Sequence, residues 1–186
     1  MSTPATPLKV LGICGSLRPE SCNMGMLRYA RDNAPAGMQI EIADLREVPF
    51  FVRNEDKTPA VVSLLKQFET AEAFVFACPE YNYSIAPALK NALDWASRAE
   101  DNYMLAGKPG MVFGAGGGMG TSRAQLHLRQ VTSALNIHML NKPEVFANAF
   151  GDSFDANGNL VDPKIQGNLV KQLAAFQAWA AQIRRK

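Results

Sequence analysis

A polar turn between the first apolar run and the first helical segment has the residues to bind an anion. Residues 10–14 are apolar and predict a buried strand, and a helical pattern begins at Met24. Hydroxyl, guanidinium and amide donors stand between them, on Ser16, Arg18, Ser21 and Asn23. A helix start adds free backbone N–H groups and the positive end of the helix dipole, and Ser21 is a suitable N-cap. The turn is therefore predicted to bind a phosphate.

The elements that must position this turn alternate between strand and helix along the chain. Periodicity and turn residues predict strands over residues 8–14, 38–43, 73–78, 109–114 and 137–140, the last extended around 144–146. Helices are predicted over residues 24–33, 59–72, 87–98, 121–135 and 163–184. Five such alternations indicate an α/β fold: an open parallel sheet with right-handed crossovers and helices on both faces.

Three polar or glycine-rich loops follow strands of this predicted sheet, over residues 15–23, 79–84 and 114–120. Ligands of open α/β sheets bind at the carboxyl ends of the strands, where the strand order reverses. If the first strand is central, the order 2-1-3-4-5 places the first and third strands side by side. The loops are therefore expected to meet at one edge.

Composition narrows the class of protein. The chain has 186 residues, 47% hydrophobic and 19% charged, with a net charge of +2, which is ordinary for one globular domain and too weakly basic for a nucleic-acid partner. No apolar stretch is long enough for a membrane span, and no signal peptide is expected. Three cysteines without a CxxC motif favour a reducing compartment, and neither histidine suggests a metal site. We expect a flexible arm over residues 1–7, one domain over 8–186 and a cytoplasmic location.

The nature of the phosphate follows from missing motifs. Gly12 and Gly15 have the wrong spacing for the dinucleotide fingerprint GxGxxG, the loop over residues 114–120 matches it poorly, and no Walker A motif occurs. With the dinucleotide and Walker A motifs excluded, the remaining ligand class is a mononucleotide whose phosphate is bound by hydroxyls and backbone amides. Flavin mononucleotide (FMN) fits, because sheets of order 2-1-3-4-5 bind it at this switch point.

Three motifs carry a family resemblance. They are Gly-Ser-Leu-Arg-x-x-Ser-x-Asn at residues 15–23, Pro-Glu-Tyr-Asn-x-Ser at 79–84 and Leu-Lys-Asn-Ala-Leu-Asp-Trp at 89–95. With them the chain resembles the NADPH-dependent FMN reductase family over nearly its whole length after Pro7, and more narrowly the bacterial quinone and chromate reductases. The combination of the first two motifs at this separation is highly specific.

The resemblance implies a fold, a cofactor and an assembly. The fold is a flavodoxin-like three-layer sandwich, with a five-stranded parallel sheet of order 2-1-3-4-5 and helices on both faces. FMN is held non-covalently, NADPH or NADH is the hydride donor, and the chain forms a homodimer or a tetramer. A ping-pong reaction then passes hydride through FMN to a small-molecule acceptor: a quinone, chromate, an azo compound or a nitro compound.

The resemblance also implies roles for particular residues. The phosphate would contact Ser16, Arg18, Ser21 and Asn23, with Cys22 beside it. The isoalloxazine and ribityl chain would contact Pro79, Glu80, Tyr81, Asn82 and Ser84. The other side of the ring would be covered by Gly114, Gly116, Gly117 and Gly118. Arg123 and Glu144 correspond to positions near the subunit interface and substrate entrance. No side chain is assigned as catalytic, because FMN carries the chemistry.

Alternatives stay open at this point. A flavodoxin-type electron carrier would share the fold, but such carriers are usually acidic, and this chain is net positive. A nucleotide-sensing module without turnover is a third hypothesis.

Individual residues also have structural interpretations: Glu80 can cap a helix while only its backbone meets the ligand, and Cys22 is either an activated thiol or an inert one. Asn91, Asp94 and Trp95 are read as packing or partner-contact residues.

Overall fold

The computed structural model describes residues 7–98 and 102–184. The predicted arm therefore lies, except for Pro7, outside the described residues. The strands in this part are β1 (Leu8–Cys14), β2 (Met38–Ile42), β3 (Ala73–Ala77), β4 (Glu80–Tyr81), β5 (Ser84–Ile85), β6 (Pro109–Gly116), β7 (His138–Met139) and β8 (Val145–Asn148). The helices are α1 (Cys22–Asp32), α2 (Pro59–Thr70), α3 (Pro87–Ala96), α4 (Ser122–Ala134) and α5 (Pro163–Ile183).

The main sheet is parallel and has the order β2-β1-β3-β6-β7, with β8 also paired to β6. The flavodoxin-like order predicted from the sequence is thus confirmed. The strand count differs, because two short strands, β7 and β8, share the fifth position. The chain takes six steps from Met139 to Val145, whereas the facing stretch of β6 takes three from Gly110 to Phe113, so the ladder is interrupted there. Pro143 lies in this interruption and has no N–H to donate.

Each face of the sheet has its own apolar core. Phe74 and Phe76 of β3 point to the face covered by α2, α3 and α4. Val75 of β3 and Phe113 of β6 point to the opposite face, covered by α1 and α5. All five residues of β3 are buried, as expected for a central parallel strand with helices on both sides. Because β1, β3 and β6 are parallel neighbours, their carboxyl ends lie at one edge of the sheet.

Helix starts follow local signals. Ser21 is the N-cap of α1, where its Oγ accepts a hydrogen bond from the Met24 N–H at 3.3 Å, as predicted. Pro59, Pro87 and Pro163 each stand in the first turn of their helix. No helix in the described ranges combines the length and apolarity needed to cross a membrane.

Candidate functional site

Three loops meet at the carboxyl ends of the strands. A Cβ atom added at Gly15, after β1, would lie 2.9 Å from Pro79 Cδ, after β3. A Cβ added at Gly114 of β6 would lie 2.3 Å from both the Cys78 carbonyl oxygen and Thr121 Oγ1, and 3.2 Å from Asn23 Oδ1. Side chains larger than glycine at these positions would separate the loops. Their convergence therefore depends on close backbone contact.

The turn after β1 offers an anion a set of donors. Ser16 and Ser21 are buried, and Arg18 is exposed at its rim. The N–H groups of Cys22 and Asn23 open α1 and make no hydrogen bond within residues 7–98 and 102–184. No carboxylate in the described part of the chain accepts a hydrogen bond from these two N–H groups. The donor set therefore fits a phosphate group.

Asn23 uses its side chain within the protein. Its Nδ2 donates to the Ala115 carbonyl oxygen at 2.8 Å, and its Oδ1 accepts from the Ala115 N–H at 2.9 Å. The buried amide thus pairs with β6 as a neighbouring strand would. It connects the turn after β1 to the end of β6, and its backbone N–H remains for a phosphate.

The start of α1 is supported from behind by the segment before α5. Gly25 packs so closely on this segment that an added Cβ would lie 1.8 Å from the Gly158 carbonyl oxygen. Arg28 donates to Asn159 Oδ1 at 2.7 Å, next to Gly158. The orientation of the first turn of α1 is therefore determined by a distant part of the chain.

The loop after β3 contains a short hairpin, which the sequence did not predict. β4 and β5 pair antiparallel, and Asn82 and Tyr83 between them have φ of 48° and 68°. Both values belong to the left-handed region that a two-residue hairpin turn requires. Tyr83 is an unusual residue there, and the Arg123 guanidinium lies 3.7 Å from the centroid of its ring.

Glu80 and Ser84 anchor this hairpin to α4. The Glu80 carboxylate accepts from Arg123 Nε at 2.7 Å and from the Ala124 N–H at 3.1 Å, and its side chain is only 7% exposed. Ser84 Oγ and His127 Nδ1 are 2.8 Å apart. A carboxylate at a helix N-terminus is stabilised by the helix dipole. Glu80 therefore has the capping role considered above, and its side chain is directed to α4.

The glycine-rich loop after β6 is shorter than predicted, because β6 continues to Gly116. Gly114 is buried inside the strand, where an added Cβ would meet Cys78 and Thr121, and its role of covering a ligand stays a prediction. The turn that remains is closed by a bond from the Gly120 N–H to the Gly117 oxygen at 2.7 Å. Gly118 stands exposed at its tip.

Two aromatic residues beside this turn were not found from the sequence. Phe150 lies against Gly117, 3.7 Å from where a Cβ would stand, and Phe146 covers Gly120. Both are exposed. No sequence signal relates residues thirty positions apart, because β8 brings them here only through pairing with β6.

Arg123 and Glu144 stand apart in this chain. Arg123 belongs to the hairpin contacts, whereas Glu144 forms an ion pair with Lys142 near the start of β8. No hydrogen bond or ion pair joins the two within the described residues.

The pKa of each cysteine thiol is raised by burial. Burial raises the pKa of Cys14 to about 11 and that of Cys78 to about 12. Partial burial also raises the pKa of Cys22, although the nearby Arg18 charge opposes this change. The interpretation of Cys22 as an inert thiol is therefore favoured over an activated one.

Comparison with known proteins gives the family. The model of the NADPH-dependent FMN reductases matches residues 8–152. The chain is 46% identical over 183 residues to an NAD(P)H-dependent FMN reductase of Pseudomonas aeruginosa, covering 95% of this chain and 97% of that protein. It is 43% identical over 188 residues to the NAD(P)H:quinone oxidoreductase of Solanum tuberosum, with 96% of each covered.

A solved structure of a flavoenzyme has a similar fold. FerB of Paracoccus denitrificans, a flavoenzyme NAD(P)H:(acceptor) oxidoreductase, superimposes with a TM-score of 0.84 at 26% identity, covering 94% of this chain and 97% of that one. These relatives are enzymes, which favours a reductase over an electron carrier. The chain belongs to the NADPH-dependent FMN reductase family, and it is an oxidoreductase that uses FMN and NAD(P)H.

Proposed function

We propose that this protein oxidises NAD(P)H and reduces quinones through bound FMN in a ping-pong cycle. One NAD(P)H and one proton convert one quinone to a hydroquinone and release NAD(P)⁺. The observation that carries the proposal is the convergence of the three loops at the carboxyl ends of β1, β3 and β6, with a phosphate-binding donor set on the first. Relatives named as quinone reductases support the choice of acceptor.

The chain's own residues would hold the cofactor at separate points. The phosphate would be bound by Ser16, Arg18 and the N–H groups at the start of α1. Ser21, as the N-cap, would hold the first turn of α1 in place. The backbone of residues 79–82, with Ser84, would line one side of the ring, and residues 116–118 would line the other. FMN bound there would supply the redox chemistry, which is hydride transfer between the nicotinamide and the acceptor.

The remaining side chains orient these loops. Glu80 and Arg123 hold the hairpin against α4, so the backbone of residues 79–82 is in place before any ligand binds. Asn23 holds the end of β6 against the phosphate turn. Such pre-organisation reduces the loss of conformational entropy on binding. No nucleophilic side chain is required.

We further propose a homodimer or tetramer in the cytoplasm. Leu126 is 71% exposed and Tyr83 is 70% exposed, and both line one surface depression on α4. Exposed apolar residues in one patch are typical of subunit interfaces. Three free cysteines suit a reducing compartment.

An absorbance spectrum of the purified protein tests the function. Flavin bands that disappear on anaerobic addition of NADPH and return on addition of a quinone are expected. Bands that NADPH leaves unchanged would support an electron carrier instead, and failure to bind FMN would exclude the proposed site. Initial rates at varied NADPH and quinone should give parallel lines, whereas intersecting lines would exclude the ping-pong cycle.

A further inference from the structure

An apolar cavity of about 490 Å³ opens beside the phosphate turn, between that turn, the loop joining β2 to α2, and the start of α3. Its apolar lining comes from Leu17, Leu45, Val48, Phe50, Tyr81, Pro87 and Ala88. Three of these side chains are unusually exposed for their size, Phe50 at 74%, Leu17 at 47% and Tyr81 at 44%. The volume lies within the range of small-molecule sites, and clustered exposed apolar side chains are typical of a ligand groove.

The wall that carries Phe50 is held in place by α3. Asn91 Nδ2 donates to the Pro49 carbonyl oxygen at 2.8 Å, and Asn91 Oδ1 accepts from the Phe51 N–H at 2.7 Å. Trp95 Nε1 donates to the same Pro49 oxygen at 2.9 Å. Asn91 is buried, and both polar groups of its amide are used. The loop is thus fixed on both sides of Phe50.

The two neighbouring phenylalanines have different environments. Phe51 packs edge-on against Trp95, with ring centroids 5.0 Å apart, and the Arg98 guanidinium lies 5.5 Å from its centroid. Phe50 has no such partner among the described residues and lines the mouth of the cavity. Exposing a phenylalanine on a fixed loop is unfavourable unless a ligand covers it.

We propose that this cavity binds the electron acceptor and selects planar aromatic molecules, with Phe50 and Tyr81 as its aromatic walls. Asn91 is a positioning residue, because it acts through the loop that bears Phe50. The inference rests on the proposed function for the redox step, but the cavity's ligand preference can be measured separately. Aromatic rings favour offset or edge-on contact with another planar ring. Ferricyanide has no planar ring to pack on these walls, and its attraction to Arg18 and Arg46, which also line the cavity, does not depend on Phe50.

The test compares two acceptors on the FMN-loaded enzyme. For Phe50→Ala we expect KM for menadione, a naphthoquinone, to rise roughly threefold to tenfold. The ferricyanide rate and the bleaching of the flavin by NADPH should stay unchanged. Phe50→Leu keeps apolar volume without an aromatic face, so its KM for menadione should lie between those of Phe50→Ala and the unmodified protein. Tyr103→Ala removes an exposed aromatic residue next to Glu69, and it serves as the control with unchanged KM.

Direct binding gives a readout that does not depend on turnover. Calorimetry of menadione with the oxidised protein should show the same threefold to tenfold weakening for Phe50→Ala, and a weakening for Asn91→Ala at a temperature where circular dichroism shows it folded. Equal menadione binding by Phe50→Ala and the unmodified protein would overturn the proposal. A change in oligomeric state of Phe50→Ala would also overturn it, because Phe50 would then be an interface residue. If NADPH fails to bleach the flavin of the unmodified protein, the proposed function fails, while the calorimetry still decides the cavity.

Discussion

The turn after β1 and the turn after β6 lie at the same edge of the sheet and are both rich in small residues, yet they are held differently. In the first, Ser16, Ser21 and Asn23 are buried, and Gly25 fixes the helix start against Gly158. In the second, Gly120 at the end of the turn is buried, whereas Gly118 and Met119 at its tip face solvent.

The difference matches two different tasks. A phosphate group needs several N–H groups in a fixed arrangement, so the loop that binds it benefits from rigid support. A ring that must meet a second molecule needs a neighbouring loop that leaves access. Glycine accordingly has two uses here: at Gly25 and Gly114 it permits close packing, and at Gly118 no atom lies within 4 Å of an added Cβ. The following predictions test this contrast.

The largest effect is expected for Gly25→Ala. The new Cβ would overlap the Gly158 carbonyl oxygen, 1.8 Å away, and backbone atoms on both sides would have to move. We expect the free energy of unfolding to fall by about 3 kcal/mol or more, measured by urea denaturation.

Gly167→Ala in α5 is the matched control, because it lies in a helix with no atom within 4 Å of the added Cβ. There the better helix propensity of alanine should raise the free energy of unfolding by about 0.5–1 kcal/mol. Equal effects of the two variants would contradict the tight support of α1.

Asn23→Ala should come next. It removes both hydrogen bonds to Ala115 and leaves a buried N–H and C=O of β6 without partners. We expect a loss of about 1–3 kcal/mol in the free energy of unfolding, together with weaker FMN binding in a fluorescence titration. Asn23→Asp can still accept from the Ala115 N–H but cannot donate. Its free energy of unfolding should therefore lie between those of Asn23→Ala and the unmodified protein. Unchanged stability of Asn23→Ala would show that the two loops are not coupled.

Thiol alkylation should separate the cysteines by burial. Cys22 is the half-exposed one and should react with iodoacetamide first, whereas Cys14 and Cys78 should react only after unfolding. Because the pKa of Cys22 is raised above 9.0, its thiolate is scarce at neutral pH, and its rate should still increase as the pH passes that value. Mass spectrometry identifies the modified residue. Rapid alkylation of Cys22 that levels off near neutral pH would contradict the raised pKa.

The smallest change in stability is expected for Gly118→Ala at the open tip. Its added Cβ meets no atom within 4 Å, so the free energy of unfolding should change by less than about 0.5 kcal/mol. FMN affinity should nevertheless fall if this turn lines the ring. Thermal denaturation and FMN titration measure the two quantities separately, and a large loss of stability would mean that the tip is packed.

Local signals explain how much of the site could be predicted. The turn after β1 was recognised because its hydroxyl, amide and guanidinium groups lie within nine residues between a strand and a helix. Phe146, Phe150 and the hairpin after β3 were missed, because short strands of two to four residues carry little periodicity. Gly114 is the last residue of the predicted strand, whereas β6 continues to Gly116, and only the packing of Gly114 against Cys78 and Thr121 shows why glycine is needed within the strand.

The sequence by itself determined the alternation of strands and helices, the position of the phosphate turn and the starts of the helices at Pro59, Pro87 and Pro163. These features depend on residues close together in the chain, through apolar periodicity, capping and fixed proline φ. The tertiary structure alone decided which polar side chains serve the protein and which remain for ligands. Asn23 bonds Ala115 across 92 positions and Glu80 bonds Arg123 across 43, and such partners follow only from how the layers pack. It also decided that, of two adjacent phenylalanines, Phe51 is packed and Phe50 is left at a cavity. Asn91 of α3 holds the backbone on either side of Phe50, through the Pro49 oxygen and the Phe51 N–H.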